Sequence, residues 1–169
     1  ESPKLTNRPY VPLSSAGVQP WRLNGGVELI TDKRIDVAQG SQCLLLGESM
    51  TKGASTSALS RARGSMRQAL NLQRGGYRLQ FKYRARYLEP ATDPEVWVGF
   101  ARNDPENVNP LRDPLKATVP AAECKNRKWL MFARDVVVDW DGESILVISG
   151  TDREDHDMFI DDVVLVRTR

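Results

Sequence analysis

Helix signals are what this chain most lacks. No segment offers a helical period closed by caps. Helical bundles and doubly wound α/β folds are thereby excluded. Cysteine is scarce: Cys43 and Cys124 are the whole complement. Two thiols do not make a disulfide scaffold. The sequence leaves open one bridge or two free thiols. Histidine is rarer still, with His156 alone, so no Cys/His cluster for zinc exists. No apolar run approaches the roughly 20 residues of a membrane helix. Acid is missing from Ser49 to Leu88, where Lys52, Arg61, Arg63, Arg67, Arg74, Arg78, Lys82, Arg84 and Arg86 stand unopposed. From Asp135 to Asp162 the balance reverses, with ten acids against Arg153.

What is present fits one domain, residues 1–169, with an ordinary soluble composition. The net charge is only +2, so the charge is segregated rather than large. Glu1 in place of Met implies processing, or excision from something longer, and a removed secretory signal is one expectation.

Tyr77–Tyr87 is the most informative stretch. Its odd positions are Tyr77, Leu79, Phe81, Tyr83, Ala85 and Tyr87. Its even positions are Arg78, Gln80, Lys82, Arg84 and Arg86. Side chains on a strand alternate faces, so one face is apolar and the other cationic. Ser65–Gln73 alternates as well, and Gly75-Gly76 predicts a hairpin between the two. Val27–Ile30, Arg34–Val37, Gln42–Leu46, Glu95–Arg102, Lys128–Val138, Ser144–Ser149 and Met158–Arg167 read as further strands. Residues 103–120 hold Pro105, Pro110, Pro114 and Pro120 and read as a long loop. Asp139-Trp140-Asp141-Gly142 reads as a turn. Short strands separated by turns predict an all-β antiparallel sandwich of roughly eight to ten strands. The expected core includes Leu45, Leu70, Leu79, Phe81, Tyr83, Val98, Phe100, Ile160 and Val163.

Three local patterns follow in order. Asn7 precedes Pro20-Trp21, Gly26-Val27-Glu28-Leu29-Ile30 and Gly40-Ser41. Met66-Arg67-Gln68-Ala69-Leu70 precedes Gly76-Tyr77-Arg78-Leu79-Gln80-Phe81. Lys128-Trp129 and Phe132 precede Phe159-Ile160-Asp161-Asp162-Val163-Val164-Leu165. This order resembles the galactose-binding-like jelly rolls. It is similar in particular to carbohydrate-binding modules of families four, sixteen and twenty-two. The resemblance implies a structural calcium between an N-terminal Asn-Gly-x-Phe-Glu segment and an aspartate of the closing strand. Asp161 is the matching aspartate. Asn7-Arg8-Pro9-Tyr10-Val11 places Val11 where the glutamate belongs, and Val11 cannot ligate. Asn24-Gly25-Gly26-Val27-Glu28 restores a glutamate but misplaces Trp21. The alternative is that Asp161 and Asp162 pair with basic neighbours.

Trp97 alternates with Val96, Val98 and Phe100 and falls on the wet face of its strand. Sugar rings stack on such a plane, and cations hold carboxylates or sulfates. Lys82, Arg84, Arg86 and Trp97 are therefore the expected ligand-facing residues, for an acidic polysaccharide first and a neutral one second. The competing readings are a loop over Trp97 and charge neutralisation between strands. Trp21, Trp129 and Trp140 read as core or corner residues, and His156 as a solvated turn residue. No nucleophile motif accompanies His156, so no catalysis is expected. The acidic C-terminal third argues against nucleic acid. The expectation is a secreted or cell-envelope carbohydrate-binding module, an accessory to other domains of a larger chain. A protein–protein assembly module is the alternative, and a hydrolase the weaker one.

Overall fold

The computed structural model describes residues 10–12, 21–24, 26–31, 38, 42–47, 64–102, 115–151 and 156–168. Among the described residues eleven strands are present: β1 (Tyr10–Pro12), β2 (Arg22–Asn24), β3 (Gly26–Thr31), β4 (Gln42–Gly47), β5 (Ser65–Leu72), β6 (Gly75–Ala85), β7 (Glu95–Arg102), β8 (Leu115–Thr118), β9 (Leu130–Val138), β10 (Gly142–Ser149) and β11 (Met158–Arg167). One helical turn, α1 (Ala121–Cys124), follows Pro120. The strands form two antiparallel sheets. One has six strands in the order β1-β3-β4-β11-β6-β9, the other five in the order β2-β5-β10-β7-β8.

From β4 onward the chain passes between sheets at almost every connection, with β7–β8 as the exception. This is the winding of a jelly roll. It corrects the expected hairpin: β5 and β6 lie in different sheets. Gly75-Gly76 opens β6 on the far side of the core rather than closing a β-ribbon. The alternation within each of the two strands holds, but two apolar faces can meet across a core as well as side by side. Two further corrections concern elements. Leu115–Thr118 is a strand inside the expected loop, held on β7 with Ala117 buried. Pro120 lies outside the paired span of this edge strand. The short strands β1, β2 and β8 raise the count above the expected range. Arg34–Val37 lies outside the described residues.

The main core sits between the sheets. Leu79, Phe81, Val96, Val98, Ile148 and Met158 are all essentially inaccessible. Phe81 stacks on Phe132 with ring centres 4.6 Å apart. Leu70, Phe100 and Val163 pack against this core while half-buried. Leu45 is buried too, but in a separate cluster with Ile30, Cys43 and Phe159, joined by Trp129.

β11 brings Val163 and Leu165 inward only through a bulge. Asp161 faces Lys82 and Val164 faces Gln80, so one residue of β11 is extra. Asp162 takes φ 54°, a conformation that aspartate tolerates better than most residues. Uninterrupted alternation from Ile160 would turn Val163 and Leu165 outward; the bulge turns them back to the core.

Candidate functional site

The four expected ligand-facing residues do not share one surface. Lys82 and Arg84 belong to β6 of the six-stranded sheet, and Arg86 immediately follows that strand. Trp97 belongs to β7 of the five-stranded sheet. Val96 and Val98 are buried between the sheets, so Trp97 points to the outside of its own. The core therefore separates the cations from the tryptophan.

The cations are engaged from the acidic C-terminal third. Lys82 Nζ lies 3.2 Å from Asp162 Oδ2. Arg86 donates to Asp157 Oδ2 at 2.7 Å, and Asp157 is buried. Arg78, on the same face of β6 as Lys82, meets Asp135 of β9 at 3.4 Å. Charge neutralisation between neighbouring strands accounts for these pairs. Arg84 is a correction to the expected open face. It is 7 % exposed, and its guanidinium lies 5.0 Å from the ring centres of both Trp129 and Phe159. It also donates to the carbonyl of Arg127 at 3.4 Å.

Trp97 is half-buried, and its setting is built by three elements. Its Nε1–H donates to Glu95 Oε1 at 2.9 Å. Lys116, directly opposite on β8, donates to the same oxygen at 3.2 Å. The Lys116 ammonium stands 5.9 Å from the centre of the Trp97 ring. On the other flank Trp97 faces Ser149 of β10, and the next outward residue of β7 is Gly99. Val147, opposite Gly99 on the same face, is only 2 % exposed, so the middle of this face is covered. Of the proline-rich segment expected over Trp97, residues 103–114 lie outside the described residues.

Partial burial works to raise the Glu95 carboxyl, but the hydrogen bonds from Trp97 and Lys116, with the charges of Lys116 and His156, hold it below its ordinary value. His156 itself departs from expectation. It is 5 % exposed, with Nε2 and Thr92 Oγ1 sharing a hydrogen bond of 2.8 Å. Its polar sequence context gives no hint of this, because the 86–94 connection that meets it is distant in sequence.

Asp161 Oδ1 accepts the Asp162 N–H at 2.8 Å within the bulge. Among the described residues no three His, Cys, Asp or Glu side chains gather as a metal site. Asn7 lies outside those residues. Cys43 and Cys124 are free and buried. Trp129 and Trp140, expected as core or corner residues, are half-buried against apolar clusters, with Trp140 Nε1 donating to Ser144 Oγ at 2.9 Å. Trp21 packs against the main core.

A groove of about 790 Å³ opens elsewhere, between β5 and β11, with Gln68, Asn71, Leu72, Leu165 and Arg167 among its lining. Its one aromatic residue, Tyr77, is buried, with its hydroxyl bonded to the Gln73 carbonyl at 2.7 Å. It offers no exposed aromatic ring, whereas the half-buried Trp97 points away from the core.

No family model and no curated protein matches the sequence. Solved structures do match. A family 22 xylan-binding domain from Paenibacillus barcinonensis Xyn10C is 16% identical, with 88% of this chain and 86% of that one covered and a TM-score of 0.53. A family 61 carbohydrate-binding module in complex with β-1,4-galactotriose is 18% identical over 89% of this chain and 90% of its own, with a TM-score of 0.51. A cleaved adhesin domain of Lys-gingipain from Porphyromonas gingivalis is 15% identical, covers 92% and 95%, and reaches a TM-score of 0.63. The fold is an antiparallel β-sandwich of the jelly-roll kind, which this chain shares with those structures. No helix among the described residues is long and apolar enough to cross a membrane.

Proposed function

We propose that this chain is a non-catalytic carbohydrate-binding module with Trp97 as its stacking platform. One observation carries the reading: a half-buried indole sits on the side of its sheet away from the core, bonded to Glu95 and bordered by Lys116, Ser149 and Gly99. Large apolar planes are normally buried, and sugar rings have apolar faces that stack on them. The solved structures of the same fold support a glycan as the class of ligand.

The preference for an acidic glycan loses ground. Lys82 and Arg86 already hold carboxylates, and Arg84 is buried. A neutral poly- or oligosaccharide fits Trp97 better. A glycan array at two salt concentrations tests both points. Binding should vanish with Trp97→Ala at either concentration. An acidic glycan bound only at low salt, and lost with Lys82→Ala and Arg86→Ala, would reverse the preference. Placement outside the cell or in the cell envelope goes with this reading, as does a role beside other domains. A structural calcium at Asp161 is carried with it.

A protein-docking module is the second reading. Met131, Val137, Val164 and Val166 are exposed on the outer face of the six-stranded sheet. Aliphatic side chains offer a sugar no ring to stack on, but they suit another protein surface. A blank array at both salt concentrations would favour this reading.

A further inference from the structure

We propose that Glu95 is the positioning residue for Trp97, an inference that rests on Trp97 being the platform. Residues two apart on a strand share a face, so β7 itself sets Glu95 beside the indole. An indole on a strand has several staggered rotamers, which compete. The Nε1–H···Oε1 bond of 2.9 Å selects one of them and draws the ring along β7 toward Glu95. A charged acceptor makes that bond stronger than a neutral one.

Glu95 is itself held. Lys116 donates to the same Oε1 at 3.2 Å from the neighbouring strand. Glu95 pairs with Thr118, and the Val119 N–H donates to the Pro94 carbonyl at 2.9 Å, which fastens this end of β7 to β8. The carboxylate thus joins a secured strand end to the ring.

Two consequences follow for recognition. The ring is ordered before a sugar arrives, so that ordering cost is not charged to binding. The indole N–H is already used, so the ring offers only its π face. The ligand class is therefore a pyranose presenting a flat C–H surface, not one that needs a hydroxyl bonded to the indole nitrogen.

The test uses the whole chain, with xylohexaose and β-1,4-galactotriose as probes and nuclear magnetic resonance of the indole N–H groups. Glu95→Ala should weaken probe binding about tenfold, the scale of a lost charged hydrogen bond, and speed hydrogen exchange at the Trp97 indole. Glu95→Gln keeps an acceptor oxygen and should retain both properties. Trp97→Phe keeps a ring but has no N–H, so Glu95→Ala added to it should cost nothing more. An equal loss when Glu95→Ala is added to the parent and to the Trp97→Phe variant would overturn the proposal, as would unchanged indole exchange in Glu95→Ala. Failure of the platform reading looks different: Trp97→Ala would then bind as the parent does. If neither probe binds the parent, the platform reading loses support and indole exchange alone decides the role of Glu95.

Discussion

Arg84 and Phe159 stand directly opposite each other on β6 and β11, and the guanidinium lies 5.0 Å from the phenyl ring centre. Trp129, whose ring centre is 6.5 Å from that of Phe159, lies against the same guanidinium, also at 5.0 Å. A desolvated cation–π contact is worth about 2 kcal/mol. Arg84→Ala should therefore lower stability by about 2 kcal/mol, read as a shift in the urea midpoint. Glycan binding by the folded variant should be unchanged, because Trp97 is on the other sheet. Loss of binding with full stability would return Arg84 to the ligand face.

Phe81 should be among the costliest core truncations. It is fully buried, stacked on Phe132 and edge-on to Tyr83 at 5.9 Å. Phe81→Ala should cost about 3–5 kcal/mol in chemical unfolding. A nearly unchanged midpoint would mean that the faces of β6 are reversed.

Glu95 should shape the acid side of the stability profile. Its folded carboxyl lies below the ordinary value, so it binds fewer protons when folded. The stability it supplies is present above about pH 4.3, the unfolded value, and is lost as pH falls through the folded one. Thermal melts of Glu95→Gln should fall less steeply between about pH 5 and about pH 3 than those of the parent. Parallel curves would count against the effect.

The thiols should be silent in the folded state. Burial, and then the charge of Asp161, push Cys43 up to about 12 against a lowering by Arg84. Burial raises Cys124 as well, with Asp93 adding to it. Ellman's reagent at about pH 8 should label neither thiol until urea unfolds the chain. A raised folded value also means that stability declines as pH rises, from about 8.5 upward. Rapid labelling of the native protein would show that one thiol is accessible.

If calcium binds, Asp161 should be its carboxylate, and the ion should act on the fold alone. The melting temperature should then rise with calcium against a chelator, and the rise should disappear in Asp161→Asn. No shift would leave Asp161 as the acceptor for the Asp162 N–H and nothing more.

Much of the architecture is legible because alternation is local. Tyr77, Leu79, Phe81 and Tyr83 are buried as their positions require. Glu95–Arg102 and Met158–Arg167 have the expected limits. Trp97 points away from the core, because its neighbours Val96 and Val98 are the buried apolar pair. The role of Glu95 is less visible, although its spacing from Trp97 is the signal that finds it. A carboxylate two residues before a strand tryptophan shares its face.

The sequence by itself determined which side of each strand is apolar, since a period of two is written in consecutive residues. It also determined that the basic middle of the chain would have acids to meet. Only the tertiary structure decided which strands are neighbours. Gly75-Gly76 suits a hairpin and a sheet-to-sheet crossing alike, and burial of two apolar faces against each other selected the crossing. That choice put Lys82 and Arg84 on one sheet and Trp97 on the other. It also set Arg84 against the rings of Trp129 and Phe159, which come from two other parts of the chain. Pairings of that range depend on how the whole core closes, and no window of local sequence contains them.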